Sequence, residues 1–224
     1  MRIADGRAQH RKKVCHGVIL AERDTPAGQE VTMRAPLVIA ALMVTGLSLG
    51  AAPLAHAADT KPASGTFTFV TANGVLPTWS IDGLVIIGVR PGSVDTTLLN
   101  TRATVALPVV ARTGSAVAAA GGFRINSIVS NASFRCSSPT IDIRANVVDC
   151  VLINGTNASL FAITSPGKRS RISGVSTVTD FYKGMSLRLN GQRMADMLNT
   201  ALGVSTFSPS VTIATSDLVV TQNR

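Results

Sequence analysis

From residue 58 to its C-terminus this chain contains no histidine and no glutamate: His10, His16, His56, Glu22 and Glu30 all precede that point. The side chains that most often move protons at neutral pH are thereby missing, leaving aspartates, Tyr182, Lys61, Lys168 and Lys183 as ordinary acid–base candidates. Aromatics are scarce as well. Trp79 and Tyr182 are the single Trp and Tyr, which excludes the stacked platforms used for sugars or single-stranded nucleic acid. Cysteine numbers three, and with no histidine in reach Cys136 and Cys150 make a poor zinc set and lack the C-x-x-C redox spacing. H-E-x-x-H, G-x-S-x-G, a phosphate-cradling glycine loop and a calcium loop are all absent. Ser165-Pro166-Gly167-Lys168 spells S-x-x-K, yet Pro-Gly in its middle breaks the helical turn that would bring the lysine beside the serine. These absences predict a chain that is not an enzyme and carries no cofactor or metal.

What is present begins with a leader inside the chain. Met33-Arg34 is a short charged segment, Ala35 to Gly50 an apolar run, and Ala55-His56-Ala57 a small-x-small cleavage site, so export is expected to leave a chain starting at Ala58. Gln29-Glu30-Val31-Thr32 can be back-translated as a stretch containing a bacterial ribosome-binding sequence just upstream of Met33. Residues 1–32 therefore read as an over-extended gene start, and the alternative, a long charged leader segment, leaves the cut unchanged. Thr45, Gly46, Ser48, Gly50 and Pro53 interrupt the apolar run, which favours cleavage over a spanning helix of about 20 apolar residues. No transmembrane segment is expected after leader removal.

Residues 58–224 then form one secreted or envelope-associated domain, long enough to bury a core. Fourteen Lys and Arg against eight Asp give it a net charge of +6. A modest positive charge outside a cell favours anionic envelope polymers or lipid headgroups as partners, and no nucleic acid is expected there. Lys168, Arg169 and Arg171 follow Pro166-Gly167 and read as a solvated loop. Cys136 and Cys150, the pair left after cleavage, read as a disulfide in an oxidising compartment.

Short alternating segments dominate from residue 65. Phe67 and Phe69, then Val105, Leu107 and Val109, then Ile141 and Ile143, then Met185, Leu187 and Leu189 each place one face inward. Further strands are expected at 84–89, 123–129, 147–153, 160–164, 211–214 and 218–221. Asn73-Gly74 and Asn154-Gly155 mark turns. Between Asn190 and Gly203 the period changes: Met194, Met197, Leu198, Ala201 and Leu202 share one helical face, with Asn190 as N-cap and Gly203 as C-terminal stop. The fold class that follows is mostly β, an antiparallel β-sandwich with one short amphipathic helix near 191–202. Trp79 is expected in the core or at its edge.

Two stretches resemble the HtaA-type haem-receptor domain of exported Gram-positive proteins. The first runs from Ala103-Thr-Val-Ala-Leu-Pro-Val-Val110 through Gly121-Gly122-Phe123-Arg124-Ile125 to Pro139-Thr-Ile-Asp-Ile143. The second runs from Met185-Ser-Leu-Arg-Leu189 through the helix ending at Gly203 to Phe207 and Ile213-Ala214-Thr215. The resemblance implies a β-sandwich with short helical additions. Its haem-binding members are expected to ligate iron through a tyrosine supported by a histidine. Here no histidine follows residue 56, and the single tyrosine, Tyr182 in Asp180-Phe181-Tyr182-Lys183, lies late in the chain, so no haem residue carries over. The function that follows is a non-catalytic binding or structural module of the cell envelope with an unassigned ligand. The alternative is a protein binding haem or another hydrophobic small molecule, with Tyr182 as axial ligand.

Overall fold

A computed structural model describes residues 59–97, 99 and 101–224. The expected leader and its cleavage pair, Ala57 and Ala58, lie outside the described residues. The alternating pattern becomes strands β1 (Thr60–Thr71), β2 (Leu84–Val89), β3 (Ser93–Thr96), β4 (Ala103–Thr113), β5 (Ala116–Ala119) and β6 (Gly122–Ser127). They are followed by β7 (Ser133–Asp142), β8 (Val147–Val151), β9 (Asn157–Ser165), β10 (Lys168–Ser173), β11 (Thr177–Leu189) and β12 (Thr212–Asn223). Helix α1 (Val75–Ile81) follows β1, and α2 (Gln192–Leu202) joins β11 to β12.

The sheet closes on itself. Going round in the order β7, β5, β4, β1, β12, β11, β9, β8, each strand pairs antiparallel with the next, and β8 returns to β7 through Ile141 opposite Val148. The expected sandwich is therefore corrected to an eight-stranded antiparallel barrel with β2, β3, β6 and β10 added outside the ring. Period-two alternation could not separate the two architectures, because strands in both bury every second side chain. Phe67, Leu107, Ile141, Met185, Leu187 and Leu218 fill the barrel and are all but inaccessible to solvent.

The barrel's two ends differ. At one, β5 lies between β4 and β7, and beyond it these two strands take separate partners, β3 on β4 and β6 on β7, with β2 outside β6. The splayed end is plugged by α1, α2 and the pair Trp79 and Phe207, whose ring centroids lie 5.3 Å apart. At the other end β10 continues along the edge of β11 that β9 has left, turning at Pro166-Gly167. Gly167 sits at φ 68, and a Cβ there would run into the Lys183 carbonyl, so the close crossing needs glycine.

Helix α2 keeps the expected Gly203 stop, in left-handed conformation with its N–H on the Asn199 carbonyl. Its N-cap is Gly191, not Asn190, and no side chain caps it. The buried stripe is Ala195, Leu198 and Leu202; Met194 and Met197 pack at its margin, and Ala201 faces solvent. Asn73-Gly74 forms the expected turn, and that turn leads into α1, with Val75, Leu76 and Trp79 buried under the splayed end. Cys136 and Cys150 are joined in a disulfide across β7 and β8, with Cα atoms 5.1 Å apart.

Candidate functional site: an arginine cluster at the open end

Lys168, Arg169 and Arg171, expected in a solvated loop, belong to β10. That expectation is corrected by the pairing with β11, which sets Arg169 opposite Tyr182 and Arg171 opposite Asp180. Opposed residues of an antiparallel pair project to the same face, so both arginines stand over the Asp180 and Tyr182 side. On β11 that is the inward face: Asp180 and Tyr182 are buried, and after the step at Lys183-Gly184 the burial continues with Met185, Leu187 and Leu189.

Asp180 is the centre of the cluster. Its side chain is 1% exposed and takes Arg171 through Nε to Oδ1 at 2.6 Å and Nη2 to Oδ2 at 2.8 Å. Arg112 of β4 reaches it from across the barrel mouth, Nη1 to Oδ2 at 2.7 Å, while its Nε donates to the Gly114 carbonyl. Arg169 stands farther off, with Nη2 3.5 Å from Oδ1, and its guanidinium carbon lies 5.5 Å from the centroid of the Tyr182 ring. Three guanidinium groups on one carboxylate leave a local surplus of two positive charges. The hydrogen bonds from Arg171, then those from Arg112, hold the Asp180 carboxyl far below the usual carboxylate range.

Asp142 sits at the same end. The backbone N–H of Ala145 lowers its pKa most, with Ser115 Oγ and the Arg144 N–H adding to the effect against the opposing influence of burial. Both shifts are downward, so the stability these aspartates contribute is complete above the unfolded-state pKa of about 3.9 and is lost as pH falls through the lower folded values. With no histidine among the described residues, thermal midpoints should stay level between about pH 5.5 and 7.5 and fall only below about pH 4. Scanning calorimetry across that range checks this, and a transition near pH 6.5 would contradict it.

Tyr182 is 5% exposed beneath Arg169. It lies at the opposite end of the barrel from α1 and α2. Beneath the helical plug, Phe69, Trp79, Phe123, Phe161, Leu198 and Phe207 help line a void of only about 10 Å³, where small-molecule sites run to about 300–1,000 Å³. A larger groove, about 330 Å³, opens on the surface of the helical end between α1 and residues 206–213, with Val75, Thr78, Trp79, Thr206, Val211 and Ile213 on its walls. Trp79, expected in the core or at its edge, is buried in the core, and nothing in the sequence spacing shows this groove. Among the described residues no three Cys, Asp, His or Glu side chains gather as metal ligands, and no helix is long and apolar enough to cross a membrane.

The fold defines a closed antiparallel barrel with a filled interior and chemically distinct ends. Among known proteins no family model matches the chain, and no curated protein matches it. Among solved structures it is similar to the heme-binding protein HtaB from Corynebacterium glutamicum, at 15% identity and a TM-score of 0.42, over 74% of this chain and 98% of that one. The HtaA-type resemblance accordingly rests on the residue pattern of this chain.

Proposed function

We propose that the chain from residue 58 is an exported, non-catalytic binding module whose partner is anionic, an envelope polymer or lipid headgroup. One observation carries this reading. All ion pairs among the described residues converge on Asp180, from Arg112, Arg169 and Arg171, so among those residues the other eleven basic side chains form no ion pair. Asp82, Asp142, Asp149, Asp196 and Asp217 instead accept hydrogen bonds from hydroxyl, amide or backbone donors. A surface whose cations are not neutralised internally attracts anions over about one Debye length and loses that attraction in salt. Calorimetric titration with soluble polyphosphate should show binding that weakens at least about tenfold between low and high salt. No binding, or binding indifferent to salt, would remove the reading.

A second reading, a protein binding haem or another hydrophobic small molecule, is supported by the volume of the Trp79 groove, whose walls mix Val75, Trp79, Val211 and Ile213 with Asn73, Thr78, Thr206 and Ser208. Titration with haemin tests it through Trp79 fluorescence and the Soret band. Because Tyr182 lies buried at the other end, Tyr182→Phe should leave the haemin spectrum unchanged; a Soret band lost in that variant would restore Tyr182 as an axial ligand and overturn the groove.

A further inference from the structure

The strands outside the barrel ring carry a feature that the arginine cluster does not explain. In the β6–β7 hairpin Arg124 stands directly opposite Arg135, and Ile87 of β2 is Arg124's neighbour on the other side. Phe123, Ile125, Phe134 and Cys136 are buried beneath, so both arginines belong to the outer face. Like charges directly opposite across two strands repel. No carboxylate relieves them among the described residues, and the Nε of Arg124, although buried, has no hydrogen-bond partner. Two opposed cations on an outer face, with no carboxylate among the described residues to relieve them, are the arrangement that a phosphate bridging both guanidinium groups neutralises.

The same hairpin ends in an apolar tip. Ile128 and Val129 occupy its turn and are 72% and 80% exposed, and Ile81, at the end of α1, is 86% exposed. The tip is held firmly: the Ile128 N–H donates to the Gly83 carbonyl at 2.9 Å, Ser127 N–H to the Ala132 carbonyl at 2.8 Å, and Ser130 Oγ to the Leu202 carbonyl at 2.8 Å. Gly83 packs so tightly against Ile128 and Val129 that a Cβ there would lie 2.9 and 2.8 Å from them. Val85 extends the patch along β2. The exposed side chains sit on a turn and a helix end and contain no aromatic anchor, unlike the centre of a protein–protein interface.

We infer that this tip enters an anionic lipid bilayer, with Ile81, Ile128 and Val129 at the acyl boundary and Arg124 and Arg135 on headgroup phosphates. This rests on the anionic-partner reading above and names its source. The distances agree: Arg124 and Ile128 are four positions apart, three residues of β6 and the step into its turn, at most about 13 Å. Apolar side chains that sink about 5–10 Å past the headgroups then leave the arginines near the phosphate level.

Co-sedimentation of the purified protein with vesicles tests it, comparing phosphatidylcholine alone with phosphatidylcholine mixed with phosphatidylglycerol. Binding is expected to the mixed vesicles and to fall at least tenfold without phosphatidylglycerol. Ile128→Asp with Val129→Asp should lower it at least tenfold with an unchanged thermal midpoint, since both side chains are exposed. Arg124→Gln with Arg135→Gln should lower it several-fold and raise the midpoint, because the repulsion is removed. Binding that survives the Asp substitutions overturns the inference, as does equal binding to neutral vesicles. A loss of self-association in the Asp variant, seen by sedimentation velocity without lipid, would assign the patch to a second copy of the chain and also overturn it. Polyphosphate binding with no vesicle binding would sink the bilayer while leaving the anionic-partner reading standing; absence of both would sink the two together.

Discussion

Asp180→Asn should lower the unfolding free energy by about 3 kcal/mol, measured by urea denaturation at pH 7. Removing one partner of a buried ion pair costs about 3–5 kcal/mol because the charge left behind has lost its compensation. Here that charge is chiefly Arg112, whose side chain is 14% exposed at the barrel mouth. Arg171 and Arg169 are about half exposed and regain water when the carboxylate is gone, which places the effect at the lower end of the range. The asparagine keeps the size of the side chain and one acceptor, so the loss reports charge and not a cavity. Asp180→Leu combined with Arg112→Leu should recover much of the stability, since replacing both members by apolar groups is often neutral. A single-variant change below about 0.5 kcal/mol, the size of an ordinary surface substitution, would show that the cluster is not a stabilising closure of the barrel.

The second large effect belongs to the disulfide. Cys136→Ala with Cys150→Ala should cost about 3 kcal/mol, the chain-entropy value for releasing a loop of about 15 residues; the two cysteines are 14 positions apart. For a domain of this length the thermal midpoint should drop by roughly 6–12 °C. The bond spans β7 and β8, where the register shifts between Ser137 and Thr140, so the backbone ladder has least to offer beside it. Hydrogen exchange should accordingly rise first in β8. A midpoint that barely moves, with intact-mass measurement confirming an oxidised wild type, would mean that the ladder alone holds this seam.

How far these features could be read from sequence differs from element to element. The inward faces of β1, β4 and β11 were legible because Phe67 and Phe69, Val105 and Leu107, and Met185 and Leu187 announce them by alternation alone. Strand β2 has the limits that its sequence predicts, residues 84–89. The segments 211–214 and 218–221 were expected as two strands and form the single β12, because Ser216, the polar residue that separated them, is itself buried in the sheet. Strand β10 was invisible: Lys168-Arg-Ser-Arg-Ile-Ser173 has no apolar alternation, and what makes it a strand is the paired edge of β11. The arginine cluster was half legible. Arg169, Arg171 and Tyr182 were singled out as residue types, but Arg112 meets Asp180 across 68 positions of chain, a contact that only barrel closure creates. Arg124 and Arg135 pass unnoticed for the same reason, since their opposition is a property of register and not of spacing.

Strand β10 has one further consequence. Among the described residues its outer edge pairs with nothing, and all six of its residues are exposed. Such an edge is a template on which another chain could add, strand upon strand, into a fibre. Here the template bears Lys168, Arg169 and Arg171, so a second copy approaching it brings its own three cations into the same narrow strip. The row of positive charge therefore acts as a guard on solubility, and its strength follows the ionic strength of the surroundings: fully effective in dilute media, blunted in brine, and cancelled wherever a polyanion lies along the strand.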